Sequence, residues 1–118
     1  MKENVIKNKS FGFALRTIKL YQFLVGKKKE FVLSKQLLRS GTAIGAMVKE
    51  SEHAESKADF IHKLSIGLKE ANETDYWLEL IYLSGYIDEK SFNSISTDLK
   101  EILRLLISII KKAKSINN

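Results

Sequence analysis

The sequence predicts an all-α fold, an antiparallel up-down-up-down four-helix bundle, on three observations. Its 118 residues contain no proline, so nothing interrupts a long helix. Apolar residues recur at spacings of three and four over four segments. The stretches between those segments are short and carry helix start and stop residues, which makes consecutive helices antiparallel neighbours. The length suits a single domain, residues 1–118, with helices over about 10–25, 34–52, 56–84 and 88–115.

The first helix follows a polar leader, with Ser10 as its expected N-cap and Gly26 as the left-handed residue that ends it. Phe11, Ala14, Ile18, Tyr21 and Val25 form one helical stripe, and Phe13, Leu20 and Leu24 form a second beside it. That is more apolar circumference than a helix with one solvent face requires. Ser34 is the expected N-cap of the second helix, with Leu33 and Leu38 as a hydrophobic staple and Leu37, Gly41, Ile44 and Val48 facing inward. Gly41 and Gly45 each lower helix propensity by roughly 1 kcal/mol relative to alanine, so a close backbone approach is expected there.

Ser56 with Asp59 forms a capping box that opens the third helix, and Gly85 is its stop. Phe60, Leu64, Gly67, Ala71, Thr74, Leu78 and Ile81 are its inward stripe, while Ile61, Leu68, Trp77 and Tyr82 add apolar surface beside it. Asp88 caps the fourth helix, whose seam runs Ile95, Leu99, Ile102, Leu106, Ile109, Ala113, Ile116. The surplus apolar surface on helices one, three and four exceeds what one small bundle buries, and self-association is the expected consequence.

The net charge of +6 is unevenly placed. Residues 1–49 hold eleven basic and two acidic residues, a balance of +9; residues 50–101 hold five and twelve, or −7; residues 102–118 hold four and none, or +4. A basic surface and an acidic one are expected after folding. Arg16, Lys19, Lys27, Lys28, Lys29, Lys35, Lys111, Lys112 and Lys114 are the candidate phosphate-binding residues for RNA or DNA, with Tyr21 or Phe31 available to stack on bases. Pairing residues across the second turn sets Arg39 opposite Glu70, Gly41 opposite Leu68 and Gly45 opposite Leu64. Pairing across the third brings Arg104 level with Glu70, so Arg39, Glu70 and Arg104 form a candidate structural polar cluster.

Enzymatic chemistry finds little support. There is no cysteine, no glycine-rich phosphate loop and no recognisable nucleophile–base–acid arrangement, so no catalytic residue and no cofactor is expected. Glu50-Ser-Glu-His53 and Asp59-Phe-Ile-His62 have the Glu-x-x-His spacing of di-iron bundles, but further inward carboxylates at that level are missing, and no metal is expected. The longest apolar run, Leu105 to Ile110, is far short of the ~20 residues of a membrane span, and nothing resembles a signal peptide; the expectation is a cytoplasmic protein with no membrane role.

From Gln36 to Ile81 the chain carries R-S-G-x-x-I-G-A, an acid shortly after, S-K-A-D-F, K-L-x-I-x-L-K-E-A and E-T-x-Y-W-L. With these motifs it resembles the small four-helix bundle proteins encoded in intervening sequences of bacterial large-subunit (23S) ribosomal RNA genes. Arg39, Gly41, Gly45, Glu50, Asp59, Lys63, Glu70, Glu73, Tyr76 and Trp77 fit that pattern, whereas Met47 stands where the family commonly has asparagine. The resemblance implies a homo-oligomeric ring, commonly a pentamer. It extends to the basic accessory protein of diversity-generating retroelements, which implies association with nucleic acid. Together, residues and resemblance point to a non-enzymatic, homo-oligomeric, nucleic-acid-binding bundle; the competing expectation is a scaffold that docks an unidentified protein.

Overall fold

The computed structural model describes residues 2–116, with side chains from residue 4 onward. They form α1 (Lys2–Gly26), α2 (Leu33–Ser51), α3 (Lys57–Leu83) and α4 (Glu89–Ser115). Each helix packs on its neighbours in sequence and α4 closes against α1, while among the described residues the backbones of the diagonal pairs stay apart. The result is a four-helix bundle 50 × 22 × 19 Å in extent. One end, here the lysine end, holds the α1–α2 and α3–α4 connections. The other, the hairpin end, holds the α2–α3 connection. Among the described residues, no helix is long and apolar enough to cross a membrane.

The core follows the 3–4 period of each helix. Ile6, Phe13 and Leu24 meet Leu37, Ile44 and Val48, then Leu64, Ala71, Leu78 and Ile81, then Leu99, Ile102 and Leu106. The α4 seam is buried as far as Ile109 and half-buried at Ala113, but Ile116 is 68% exposed because the helix outruns its partners at the hairpin end.

Helix α1 departs most from the sequence reading. It is helical from Lys2, so Ser10 is no cap: it lies mid-helix, buried, its hydroxyl donating to the Lys7 carbonyl at 3.2 Å. Extending the helix brings Ile6 onto the stripe of Phe13 and Leu24, and Ser10 and Thr17 are buried along with them. Of the competing stripe, Phe11 (66%) and Ile18 (38%) are exposed together with Leu15 (50%) between them, while Ala14, Tyr21 and Val25 are half-buried.

The α2 glycines explain this rotation. A Cβ on Gly41 would stand 2.7 Å from both Thr17 Cγ2 and Thr17 Oγ1, and one on Gly45 would stand 3.2 Å from the Ser10 carbonyl oxygen. Their close approach is therefore to α1, whereas the hairpin pairing had set them against Leu68 and Leu64 of α3. The α2–α3 contact uses a different glycine, Gly67, whose Cβ position lies 3.5 Å from Met47 Cβ and 3.8 Å from the Ile44 carbonyl oxygen. A hydrogen bond of 3.0 Å from Thr74 to Ser40, both fully buried, ties the same two helices.

Helix ends follow the expected chemistry at α3 and α4. Ser56 Oγ accepts from the Asp59 N–H at 3.0 Å, and Asp88 Oδ1 from the Ser91 N–H at 2.7 Å. Gly85, at φ +87°, closes α3 with bonds from its own N–H to Tyr82 O and from Tyr86 N–H to Ile81 O, the paired pattern of a left-handed C-terminus. At the end of α1 the left-handed residue is Lys29, at φ +55°, rather than Gly26, because the chain continues through Lys27 and Lys28, both bonded to Phe23 O, before reversing.

Two substitutions test the α1–α2 approach. Gly41→Ala drives a methyl into a buried, β-branched Thr17 that cannot swing away. Overpacking of about 1–3 kcal/mol then outweighs the ~1 kcal/mol gain in helix propensity, so urea melts are expected to show a net loss. Gly12→Ala meets nothing within 4 Å and is expected to stabilise by up to ~1 kcal/mol.

Candidate functional site

The lysine end is built around one buried carboxylate. Val32, at the N-cap position of α2, is in helical conformation and offers no side-chain cap, leaving the first N–H groups of the helix without partners of their own. Glu30, 8% exposed, supplies them: Oε2 accepts from Val32 N–H at 3.1 Å and Leu33 N–H at 2.9 Å, and Oε1 from Ser34 N–H at 2.7 Å. Ser34, the expected cap, is instead inside the first turn, donating its hydroxyl to the Glu30 carbonyl at 2.7 Å. Burial pushes the Glu30 carboxyl up, but the three backbone N–H bonds outweigh it and hold the group below the usual carboxylate range. Sequence reading missed Glu30 because capping motifs place the acid at or after the cap, and here it stands ahead of it.

The arrangement fixes the lysine turn. Glu30 N–H bonds Leu24 O at 2.9 Å, and Lys27 and Lys28 bond Phe23 O, so Lys27, Lys28 and Lys29 project from an ordered reversal. Lys28 Nζ lies 5.8 Å from the centre of the Phe23 ring. Lys19, Lys35 and Lys90 are also exposed near this end, and among the described residues none of these six lysines has an ion-pair partner. Two of the carboxylates near them are otherwise engaged, while Glu89, in the first turn of α4, is exposed. Glu30 caps α2 and Asp88 caps α4, the Ser91 N–H holding the Asp88 carboxyl below its ordinary range.

Elsewhere in the basic N-terminal half Lys7, Lys9, Arg16 and Arg39 are paired, while Lys49 has no ion-pair partner among the described residues. Lys9 pairs with Glu101 at 2.8 Å and Arg16 with Asp98 at 2.5 Å, both across the α1–α4 seam, and Arg16 also donates to Ser94 Oγ at 2.9 Å. At the hairpin end Lys7 pairs with Glu52 at 3.4 Å and Lys63 with Glu50 at 3.2 Å. Of the candidate phosphate ligands, Arg16 is thus occupied. Lys111, Lys112 and Lys114 lie at the hairpin end of α4, separated from the lysine turn by most of a helix about 40 Å long.

Arg39 lies within 3.3 Å of Glu70 Oε1, as the hairpin register predicts, and also bonds Glu73. The Trp77 indole donates to Glu73 Oε2 at 2.9 Å, so that bond and the Arg39 guanidinium hold the Glu73 carboxyl below its usual range. Glu73 raises the Arg39 guanidinium pKa most, with Glu70 adding to it. Arg104 does not join them: it is exposed on α4 and makes no ion pair among the described residues, and Glu73 and Trp77 fill the role expected of it. The Glu-x-x-His candidates are likewise dispersed, with His53 and His62 exposed, and no group of three or more His, Cys, Asp or Glu that could hold a metal occurs among the described residues.

The family model for 23S rRNA-intervening sequence proteins matches residues 2–108. The chain belongs to this family. No curated protein matches it. It is similar to a crystallised protein of unknown function from the S23 ribosomal protein family of Bacteroides thetaiotaomicron, 60% identical, with a TM-score of 0.93 over 94% of this chain and 99% of that one. Neither description names an enzymatic activity.

The stretch that carries the family resemblance is the α2–α3 hairpin, and its motif residues act mainly as architecture. Gly41 and Gly45 seat α1, Gly67 seats α2 on α3, and Arg39, Glu70, Glu73 and Trp77 bridge the two helices at the surface. Met47 lies half-buried on α2 with its Cβ against Gly67 of α3.

Glu30 gives a pH-resolved test. Its carboxyl is held low in the fold, so its contribution is present above the unfolded-state value and is lost as pH falls through the folded one. Glu30→Gln is expected to cost about 1–2 kcal/mol at pH 7 by chemical denaturation. The gap to the parent protein should shrink as the pH is lowered below 4.5.

Proposed function

We propose that this member of the family is a non-enzymatic, homo-oligomeric bundle that holds RNA or DNA by its phosphates at the lysine end. The observation that carries this reading is the sorting of charge. Carboxylates pair Lys7, Lys9 and Arg16 along α1, while Glu30 and Asp88 are engaged by backbone N–H groups, which leaves Lys19, Lys27, Lys28, Lys29, Lys35 and Lys90 together at one end without ion-pair partners among the described residues; at the hairpin end Lys49, Lys111, Lys112 and Lys114 are unpaired as well, but they stand on two different helices. Lys29 adds to it. A lysine in left-handed conformation costs roughly 1–2 kcal/mol that glycine would not, and strain of this kind concentrates where a side chain has a task.

Self-association is the second part of the reading and rests on the outer face of α1. Phe11, Leu15 and Ile18 follow one another at helical spacing on an exposed stripe, opposite the stripe that fills the core. Such a face meeting a different face of the next copy builds a ring when the rotation between copies closes, and a ring of five is the size that the family resemblance implies. Oligomerisation multiplies the lysine ends along one strand, so weak phosphate contacts combine through effective concentration.

Two measurements check this. Leu15→Glu, on an exposed site, is expected to leave the melting curve within about 0.5 kcal/mol of the parent protein while reducing the mass from light scattering to that of one chain; a parent protein that is itself monomeric removes the assembly reading. Affinity for a single-stranded oligonucleotide is expected to fall with salt, and the triple variant Lys27→Glu, Lys28→Glu, Lys29→Glu to flatten that dependence by about 0.7 per lost phosphate contact. An unchanged slope in the variant, with loss of binding in Lys111→Glu, Lys112→Glu, Lys114→Glu, would move the site to the hairpin end.

A further inference from the structure

The α1–α4 seam is the least extensive of the four helix contacts, and it opens at the lysine end into two clefts of about 420 Å³ each. They share Leu20, Ile87 and Ser91, so they form one continuous groove. The first half lies between Arg16 and Lys19 of α1 and Lys90 of α4; the second runs beneath the α3–α4 connection past Phe23, Lys28 and Tyr86. Each half falls in the ~300–1,000 Å³ range of small-ligand sites.

The chemistry of this groove differs from that of a merely solvated surface. Its floor is apolar and partly aromatic: Leu20, Ile87, Phe23 and Tyr86. Its rim is cationic, since Lys19, Lys28 and Lys90 are exposed and have no ion-pair partner among the described residues. Arg16 holds its place through Asp98 and Ser94 and closes one side. The carboxylate lining the groove, Asp88, accepts the Ser91 N–H and sits at the positive end of α4, which offsets its charge. Apolar floor and cationic rim together match a ligand that is flat and apolar in one part and anionic in the next.

We infer that the groove is a nucleotide subsite, in which Lys19, Lys28 and Lys90 hold the phosphates of a single strand while one unstacked base lies on Leu20, Phe23 and Ile87. This rests on the nucleic-acid reading above and narrows it. Packed helix axes lie about 8–10 Å apart, so a groove between two of them takes the bases of one strand and excludes a duplex. Stacking on an aromatic face is tolerant of base identity, so the subsite selects for strandedness and not for sequence. Lys28, already over the Phe23 ring, reaches phosphate and aromatic face from the same position.

Fluorescence anisotropy of the full chain with three 12-nucleotide probes tests it: a single-stranded homopolymer, an abasic strand of the same length, and a duplex. The homopolymer is expected to bind about tenfold tighter than the abasic strand. Phe23→Ala, at a site 40% exposed, should remove that preference without weakening abasic binding. Lys19→Glu with Lys90→Glu should weaken both single strands by at least about tenfold. Equal affinity for homopolymer and abasic strand, tightest binding of the duplex, or a preference that survives Phe23→Ala would overturn the subsite. If binding responds to the Lys27–Lys29 variant but not to these substitutions, the subsite fails and the broader reading stands; if none of the probes binds, both fail.

Discussion

The rotation of α1 about its own axis is the constraint on which the rest of the molecule depends. It is set where Thr17 and Ser10 press against Gly41 and Gly45, at separations that leave no room for a Cβ at Gly41 and a tight fit for one at Gly45. That contact turns Ile6, Phe13 and Leu24 into the core and Phe11, Leu15 and Ile18 out of it. The same rotation brings Lys9 and Arg16 against Glu101 and Asp98 of α4. Core, outer apolar face and seam ion pairs are consequences of one close approach, since a rigid helix cannot turn one face without turning the others.

Helix capping decides the second level, the distribution of free charge. A helix start needs acceptors for its first N–H groups, and α2 and α4 take theirs from carboxylates while α3 takes one from a hydroxyl. At the lysine end Glu30 and Asp88 are therefore turned to the backbone. At the hairpin end Ser56 does the capping, and Glu50 and Glu52 remain available to Lys63 and Lys7. Surface ion pairs of this kind add little stability, on the order of 0–1 kcal/mol each, but they determine which cations are left for an anionic ligand.

Much of the fold was legible in the sequence. Periodicity placed α3 and α4 closely, since Ser56, Gly85 and Asp88 are local signals whose partners lie within a few residues. The Arg39–Glu70 register followed from counting back from the hairpin turn. What could not be read was anything settled by a partner distant in sequence. Two stripes on α1 satisfied the same period, and only the glycines of α2 choose between them. Ser10 and Ser34 have the right residue type for caps, but α1 extends past the one and Glu30 pre-empts the other. The candidate site was legible as a surplus of lysines; which of them are neutralised depends on the α1–α4 seam, and the groove joins residues of α1 to the α3–α4 connection.

Amine-reactive footprinting with and without a single-stranded oligonucleotide, read lysine by lysine, tests the central claim most directly. The account expects Lys19, Lys27, Lys28, Lys29 and Lys90 to lose reactivity together on binding, and Lys100, Lys111, Lys112 and Lys114, exposed along the outer length and far end of α4, to keep theirs. Protection confined to the far end of α4, or spread evenly over every exposed lysine, would contradict it.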